Sequence, residues 1–364
     1  MNWKERMLTA LSGGRPDRVP WFPRMQLWYG AHKKMETLPK RYQNWSLEDI
    51  YRDLGVGIHG PSQVCKERYT QMEIRKKKSQ SGEIVVYETP HGDLQCTFQA
   101  STEMQRRDIA PYLVEPPVKS ADDFDSLLYL LDHIELAEDY AAFEADADRI
   151  GNDGVAIAHI GASPCQRFLR EYMGFEKGFL ALYDYPDRVG EIINKFSDIF
   201  FQMIRIVADS PAVIIKLQDN LTALFQSPGI FSKYYLPVYR KTGEILHNKG
   251  KILTVHGDGE MKPLLPLLID SGIDAVEQFT PHPMTRCTVK EALATARGHY
   301  AVWGGIPSTH LCDPVSENEF QEFLDTLFQA LTPEDRFILS IGDNVMPEAH
   351  LGRIREITRR VLDA

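Results

Sequence analysis

His256-Gly-Asp258-Gly ends the apolar run Ile252-Leu-Thr-Val255, and two later apolar runs deliver Glu277 and Asp343 near their carboxyl ends. One imidazole and three carboxylates form a donor set for a divalent cation, with a borderline nitrogen and hard oxygens. Zinc leads, and manganese and iron(II) are compatible. Taken singly, Asp258 and Asp343 also read as helix caps and Glu277 as the partner of an arginine. All four at matching strand ends favour a shared site. Asp219-Asn220 follows the run Val213 to Leu217 and either orients substrate or a metal-bound imidazole, or caps the next helix. His159 and Cys165 flank the loop Ile160-Gly-Ala-Ser-Pro and either line a pocket or pack in the core. Trp21, Phe22, Trp28, Tyr29 and Trp303 either wall an aromatic-binding cavity or belong to the core. Gly304-Gly305 and His282 shape loops, and no dinucleotide fingerprint surrounds the glycines.

Residues so far apart in sequence need a scaffold that gathers strand ends. Apolar runs at Val155–His159, Val213–Leu217, Ile252–Val255, Ala275–Phe279, Tyr300–Trp303 and Phe337–Ser340 read as strands. Helical spacing recurs between them at Phe179–Phe200, Phe231–Lys249, Met261–Ser271 and Glu317–Leu331. With two earlier strands, one of them Val19-Pro-Trp-Phe22, this predicts a single (β/α)8 barrel over residues 1–364, opening its site at the carboxyl ends of the strands. Residues 60–118 form a β-rich excursion. Within it Ile74-Arg-Lys-Lys-Lys78, a Ser-Gln-Ser-Gly turn and Ile84-Val-Val-Tyr87 predict an exposed antiparallel hairpin, with Arg75–Lys78 as a solvated face.

Composition narrows the function classes. The chain has 364 residues, 43% hydrophobic and 25% charged, enough for one large core. A formal net charge of −10 argues against nucleic acid or an anionic membrane surface as partner, since both require a basic face. Five Cys without a CxxC pair suggest neither a disulfide framework nor a thiolate zinc knuckle. The charged start Met1-Asn-Trp-Lys-Glu-Arg6 has no apolar stretch behind it, so a cytoplasmic enzyme acting on a small molecule is expected.

The opening Arg6-Met-Leu-Thr-Ala-Leu-Ser-Gly-Gly-Arg-Pro-Asp-Arg-Val-Pro20, Met173-Gly-Phe-Glu176, Ser227-Pro-Gly-Ile-Phe231 and Gly250 before the strand ending His256-Gly-Asp-Gly resemble the uroporphyrinogen decarboxylase superfamily. That superfamily includes methylcobalamin:coenzyme M methyltransferases and is distantly similar to cobalamin-independent methionine synthase. The likeness runs through nearly the whole chain. It implies a barrel, an enzyme and, from the decarboxylases, a homodimer.

The departures carry the reading further. In the methyltransferase branch two Cys hold zinc and activate a thiol; here those positions carry Asp258 and Asp343. Carboxylates donate less charge than thiolates and leave the ion a stronger Lewis acid toward oxygen. The expected reaction is methyl transfer from a methoxy or hydroxyl oxygen to a corrinoid on a partner protein. The decarboxylases carry an early segment with two substrate-binding arginines. Here it reads Arg24-Met-Gln-Leu-Trp-Tyr29, which keeps Arg24 alone, and Leu54-Gly-Val-Gly-Ile-His-Gly60 has no match for their central aspartate. A metal-free decarboxylase acting on a porphyrinogen or a smaller acid is the alternative.

Overall fold

The computed structural model describes residues 1–79 and 82–363. The turn expected at Ser79–Gly82 centres on residues outside that range. The strands are β1 (Ile58–Ser62), β2 (Cys65–Tyr69), β3 (Ile74–Ser79), β4 (Gly82–Tyr87), β5 (Leu94–Gln99), β6 (Tyr112–Glu115), β7 (Ile134–Glu138), β8 (Gly154–Ile160), β9 (Ile214–Leu217), β10 (Ile252–His256), β11 (Ala275–Phe279), β12 (Ala301–Pro307) and β13 (Phe337–Gly342). Seven of them form one parallel sheet in the order β1-β8-β9-β10-β11-β12-β13. Helices connect its strands, giving a curled, TIM-barrel-like α/β fold.

The expected eighth strand at Val19–Phe22 is instead a single parallel bridge between Trp21 and Leu339. The Phe22 N–H donates to the Leu339 carbonyl at 3.0 Å, and the Gly57 N–H donates to the Trp21 carbonyl at 2.9 Å. This segment therefore bonds to both edges of the seven-stranded sheet. Pro20 and Pro23 offer no N–H, so a longer ladder cannot form. β1 carries Gly60 and Pro61 and reads locally as loop, yet it is fully paired with β8. At its entry Gly57 lies so close to Phe22 that an added Cβ would sit 2.4 Å from the ring.

Proline also redraws three expected helices. Phe179–Phe200 becomes Phe175–Asp184 and Pro186–Asp209, because Pro186 starts a helix well and continues one badly. Pro237 leaves a wide turn at Phe231–Tyr235 before the helix Leu236–His247. Pro263 and Pro266 shorten Met261–Ser271 to Leu265–Leu268. The helix Pro186–Asp209 buries Val189, Ile192, Phe196, Phe200, Met203, Ile204 and Val207, a stripe of three- and four-residue spacing turned into the core.

The excursion is larger than its expected 60–118 span. β3 to β6 form a four-stranded antiparallel sheet, and β2 pairs antiparallel with β7, whose residues lie well beyond 118. Local periodicity does not reveal so distant a partner. No helix among the described residues is long and apolar enough to cross a membrane.

The sheet interior is stratified. Val155, Ile157, Ile214, Ile252, Ala275, Ala301, Trp303 and Ile338 pack with Met7, Ala10 and Leu11 of the helix Trp3–Leu11. Two residues further along the same strand faces come His159, Lys216, Thr254, Glu277 and Ser340, and then His256. The apolar floor thus gives way to polar side chains toward the carboxyl ends.

Candidate metal centre

His256 ends β10 and is almost fully buried. Its Nε2 lies 3.5 Å from Asp258 Oδ2 and 3.6 Å from Asp343 Oδ1. One ligand atom from each of these three residues falls within 4.8 Å of the others. Four donors about 2.1 Å from a tetrahedral ion stand about 3.4 Å apart, so the two imidazole-to-carboxylate separations match the edges of such a site. Asp343 follows β13 with φ of 63°, a left-handed conformation that Asp tolerates better than most residues. Asn344 Nδ2 donates to its Oδ2 at 2.7 Å, and Arg24 Nη1 donates to its Oδ1 at 2.8 Å.

Glu277, expected as a fourth ligand, takes another place. Its Oε2 lies 2.8 Å from His256 Nδ1 and 2.6 Å from Lys216 Nζ, while its Oε1 accepts from Gln278 Nε2 at 2.9 Å. These bonds turn the carboxylate to the back of the imidazole, and the three-residue ligand group excludes it. A β-bulge between Glu277 and Phe279, with Gln278 at φ of 64°, aims it there. Burial opposes ionisation of Glu277, but the Lys216 ammonium and His256 outweigh it and hold the carboxyl well below the usual range. Burial likewise opposes an imidazolium at His256, yet Asp258 and Glu277 raise its pKa overall. A carboxylate on Nδ1 fixes the tautomer that leaves the Nε2 lone pair toward Asp258 and Asp343.

The other expected site residues divide. Arg24 reaches the centre through Asp343. His159 is half-buried on β8, with Gln218 Nε2 2.7 Å from its Nδ1. Burial, reinforced by the charge of Lys216, lowers its pKa to about 3, so the ring is neutral. Asp219 points away. It is wholly buried, accepts the Ser163 N–H at 2.7 Å and the Tyr239 hydroxyl at 2.6 Å, and ties the β9 loop to the loop after β8. Asn220 is exposed, with φ of 49°. Cys165 is fully buried, and burial pushes its thiol up to about 12.

The aromatic wall does not assemble. Trp21 Nε1 donates to Thr358 Oγ1 at 3.0 Å, the Tyr29 hydroxyl donates to the Trp45 carbonyl, and Phe22 joins the floor. Trp28 packs on His32, and Trp303 faces His59 with ring centroids 5.5 Å apart. Gly304 serves strand packing: an added Cβ would meet the Phe279 carbonyl oxygen at 2.2 Å.

Lys216, Gln278 and His59 draw no notice in the sequence, whereas Gln218 stands with Asp219-Asn220 at a strand end on the expected rim. Lys216 left a signal, a lone cation in the apolar run Val213–Leu217. His59 lies on β1, whose Gly-Pro texture hides the strand. Burial lowers its pKa to about 3, and among the described residues its Nε2 has no hydrogen-bond partner.

No curated protein matches the sequence. Among solved structures, a methyltransferase from Methanosarcina mazei superposes with a TM-score of 0.61 at 14% identity over 100% of both chains, a likeness of fold. A D-psicose 3-epimerase structure with D-fructose matches at a TM-score of 0.32 and 12% identity, covering 67% of this chain and 92% of that one, too remote to bear on the argument. The family model for uroporphyrinogen decarboxylase matches residues 98–363, which hold β8 to β13 with His256, Asp258 and Asp343, and the chain belongs to that family.

Proposed function

We propose that this chain is a metal-dependent methyltransferase that delivers a methyl group from a substrate oxygen to a corrinoid carried by a partner protein. The observation that carries the reading is the convergence of His256, Asp258 and Asp343 in front of the Glu277–Lys216 pair. A divalent ion held by those three residues, zinc foremost, would supply Lewis acidity toward an ether or hydroxyl oxygen. Glu277 holds the His256 tautomer and ring plane, and Lys216 keeps Glu277 ionised in a buried place. Arg24 and Asn344 hold Asp343 at the mouth. Neutral His159, steadied by Gln218, offers a ring nitrogen for orienting the substrate.

The pairing of the cations favours this reading over a porphyrinogen decarboxylase. A substrate bearing many carboxylates needs uncommitted cations. Lys216 is engaged by Glu277 and Arg24 by Asp343. Arg167 is bound through both terminal nitrogens to Glu67, and Arg170 to Glu171 and the Gln218 carbonyl.

Elemental analysis of the purified protein, after dialysis against a weak chelator, tests the reading. We expect about one divalent ion per chain in the native protein and none in His256→Ala or Asp258→Ala, with circular dichroism unchanged. Metal-loaded native protein should demethylate a methoxy compound in the presence of a reduced corrinoid protein, and Asp258→Ala should not. Failure to retain zinc, manganese or iron(II) after reloading would reject the metal site.

A further inference from the structure

A cleft of about 820 Å³ opens beside the metal centre, with Asp258 in its wall. That volume suits a small molecule with an apolar body. Leu224, Pro263, Pro283 and Met284 line it, and Leu224 and Met284 are exposed large apolar side chains. The Met284 sulfur accepts from the Ser308 hydroxyl at 3.6 Å, and the rest of its side chain and that of Leu224 present apolar surface at the mouth of the cleft.

The charges of the cleft are unevenly committed. Glu260 is occupied by backbone: its Oε1 accepts the Lys262 N–H at 3.1 Å and its Oε2 accepts the Arg286 N–H at 2.9 Å. Lys262 is paired with Glu291 at 2.7 Å and lies outside the lining. Arg286 lines the cleft, and among the described residues its guanidinium makes no ion pair or hydrogen bond. The cleft therefore offers a metal-ligating carboxylate in one wall, apolar walls, and one uncommitted planar cation suited to a carboxylate.

We propose that this cleft binds the substrate, and that the substrate is an apolar monocarboxylic acid carrying an ether or hydroxyl oxygen. The inference rests on the metal-centred reading above for the oxygen end. Leu224 and Met284 take the apolar body, the thioether favouring an aromatic ring, and Arg286 takes the carboxylate.

Calorimetric titration of zinc-loaded protein with 4-methoxybenzoate and with its neutral analogue 4-methoxytoluene tests this, with metal content measured on the same samples. We expect both to bind, the acid more tightly and with an advantage that shrinks at high salt. Arg286→Gln should weaken 4-methoxybenzoate about two- to fivefold, as loss of one solvent-accessible charge contact implies, and leave 4-methoxytoluene unchanged. Met284→Trp, or Leu224→Trp should the first variant misfold, should abolish binding of both while metal content stays at the native level. Failure of the metal-loaded protein to bind the acid, or indifference of its binding to Arg286→Gln and to both tryptophan variants, would overturn the proposal. Binding of the acid with these variant effects in protein that retains no metal would support the cleft and reject the metal-centred reading alone.

Discussion

Glu277 accepts three donors on two oxygens and is completely buried, so its charge depends on Lys216 more than on solvent. Glu277→Gln removes the carboxylate and leaves the Lys216 ammonium without its partner. Breaking a buried pair from one side costs about 3–5 kcal/mol, and loss of the group behind a metal-binding His weakens the metal about 10–100-fold. Urea unfolding of chelator-treated protein and zinc titration read the two effects separately. The double variant Glu277→Gln with Lys216→Met removes both charges, and we expect it to recover much of the stability while metal binding stays weak. Equal stability of the single and double variants would contradict the pairing. This residue also marks how far the sequence could be read. His256, Asp258, Glu277 and Asp343 all stand out as polar groups at the ends of apolar runs. Which of them faces the cavity depends on a bulge at Gln278 and on a lysine two strands away, neither of which leaves a periodic signal. Asp219 shows the converse, since its position resembles that of Asp258 while its side chain turns into the core.

At the scale of elements, the bulge in β11 is held by the neighbouring strand. Gly304 of β12 pairs with Phe279 across the register shift, and its φ of 152° suits glycine. Gly304→Ala would drive a methyl group into the Phe279 carbonyl, so β11 must move or β12 must lose its pairing there. Since the bulge aims Glu277, we expect loss of both thermal stability and zinc affinity, measured by calorimetry and metal titration. Asp219→Ala separates the other elements of the mouth. It strands the buried Ser163 N–H and Tyr239 hydroxyl, at about 1–3 kcal/mol for each unsatisfied group, yet touches no ligand. Its unfolding midpoint should fall while zinc affinity holds. Strand positions from β8 onward are legible because buried parallel strands are short apolar runs between helices. β1 and the β2–β7 pair are not, since one is built from Gly and Pro and the other joins segments far apart. The helices depart from their patterns at Pro186, Pro237 and Pro266, where hydrophobic spacing continues through a residue that cannot donate the next hydrogen bond.

Across the whole molecule, one interior serves two purposes: an apolar floor sealed by the helix Trp3–Leu11, and above it a layer of buried polar groups that must stay in one charge state. That layer ties global stability to pH. His59 and His159 have their pKa lowered from the ordinary 6.5 to about 3, chiefly by burial. Between those limits the unfolded chain binds protons that the folded chain refuses, so stability is complete above pH 6.5 and declines as pH falls toward 3. At pH 5 each such imidazole costs about 2 kcal/mol. His256, with its pKa raised, works in the opposite direction in metal-free protein, its contribution growing as pH drops. Paired carboxylates with lowered pKa, such as Asp17 beside Arg6, stay ionised at pH 5 in either state of the chain. The interval from pH 7 to pH 5 therefore reports mainly on the imidazoles. Urea unfolding of chelator-treated native protein and of His59→Asn, at both pH values, isolates one of them. The variant should lose about 2 kcal/mol less than the native protein across that interval. An identical loss in the two proteins would mean that His59 takes up a proton in the folded state, and that the layer beneath the candidate metal centre admits a further charge besides the Lys216–Glu277 pair.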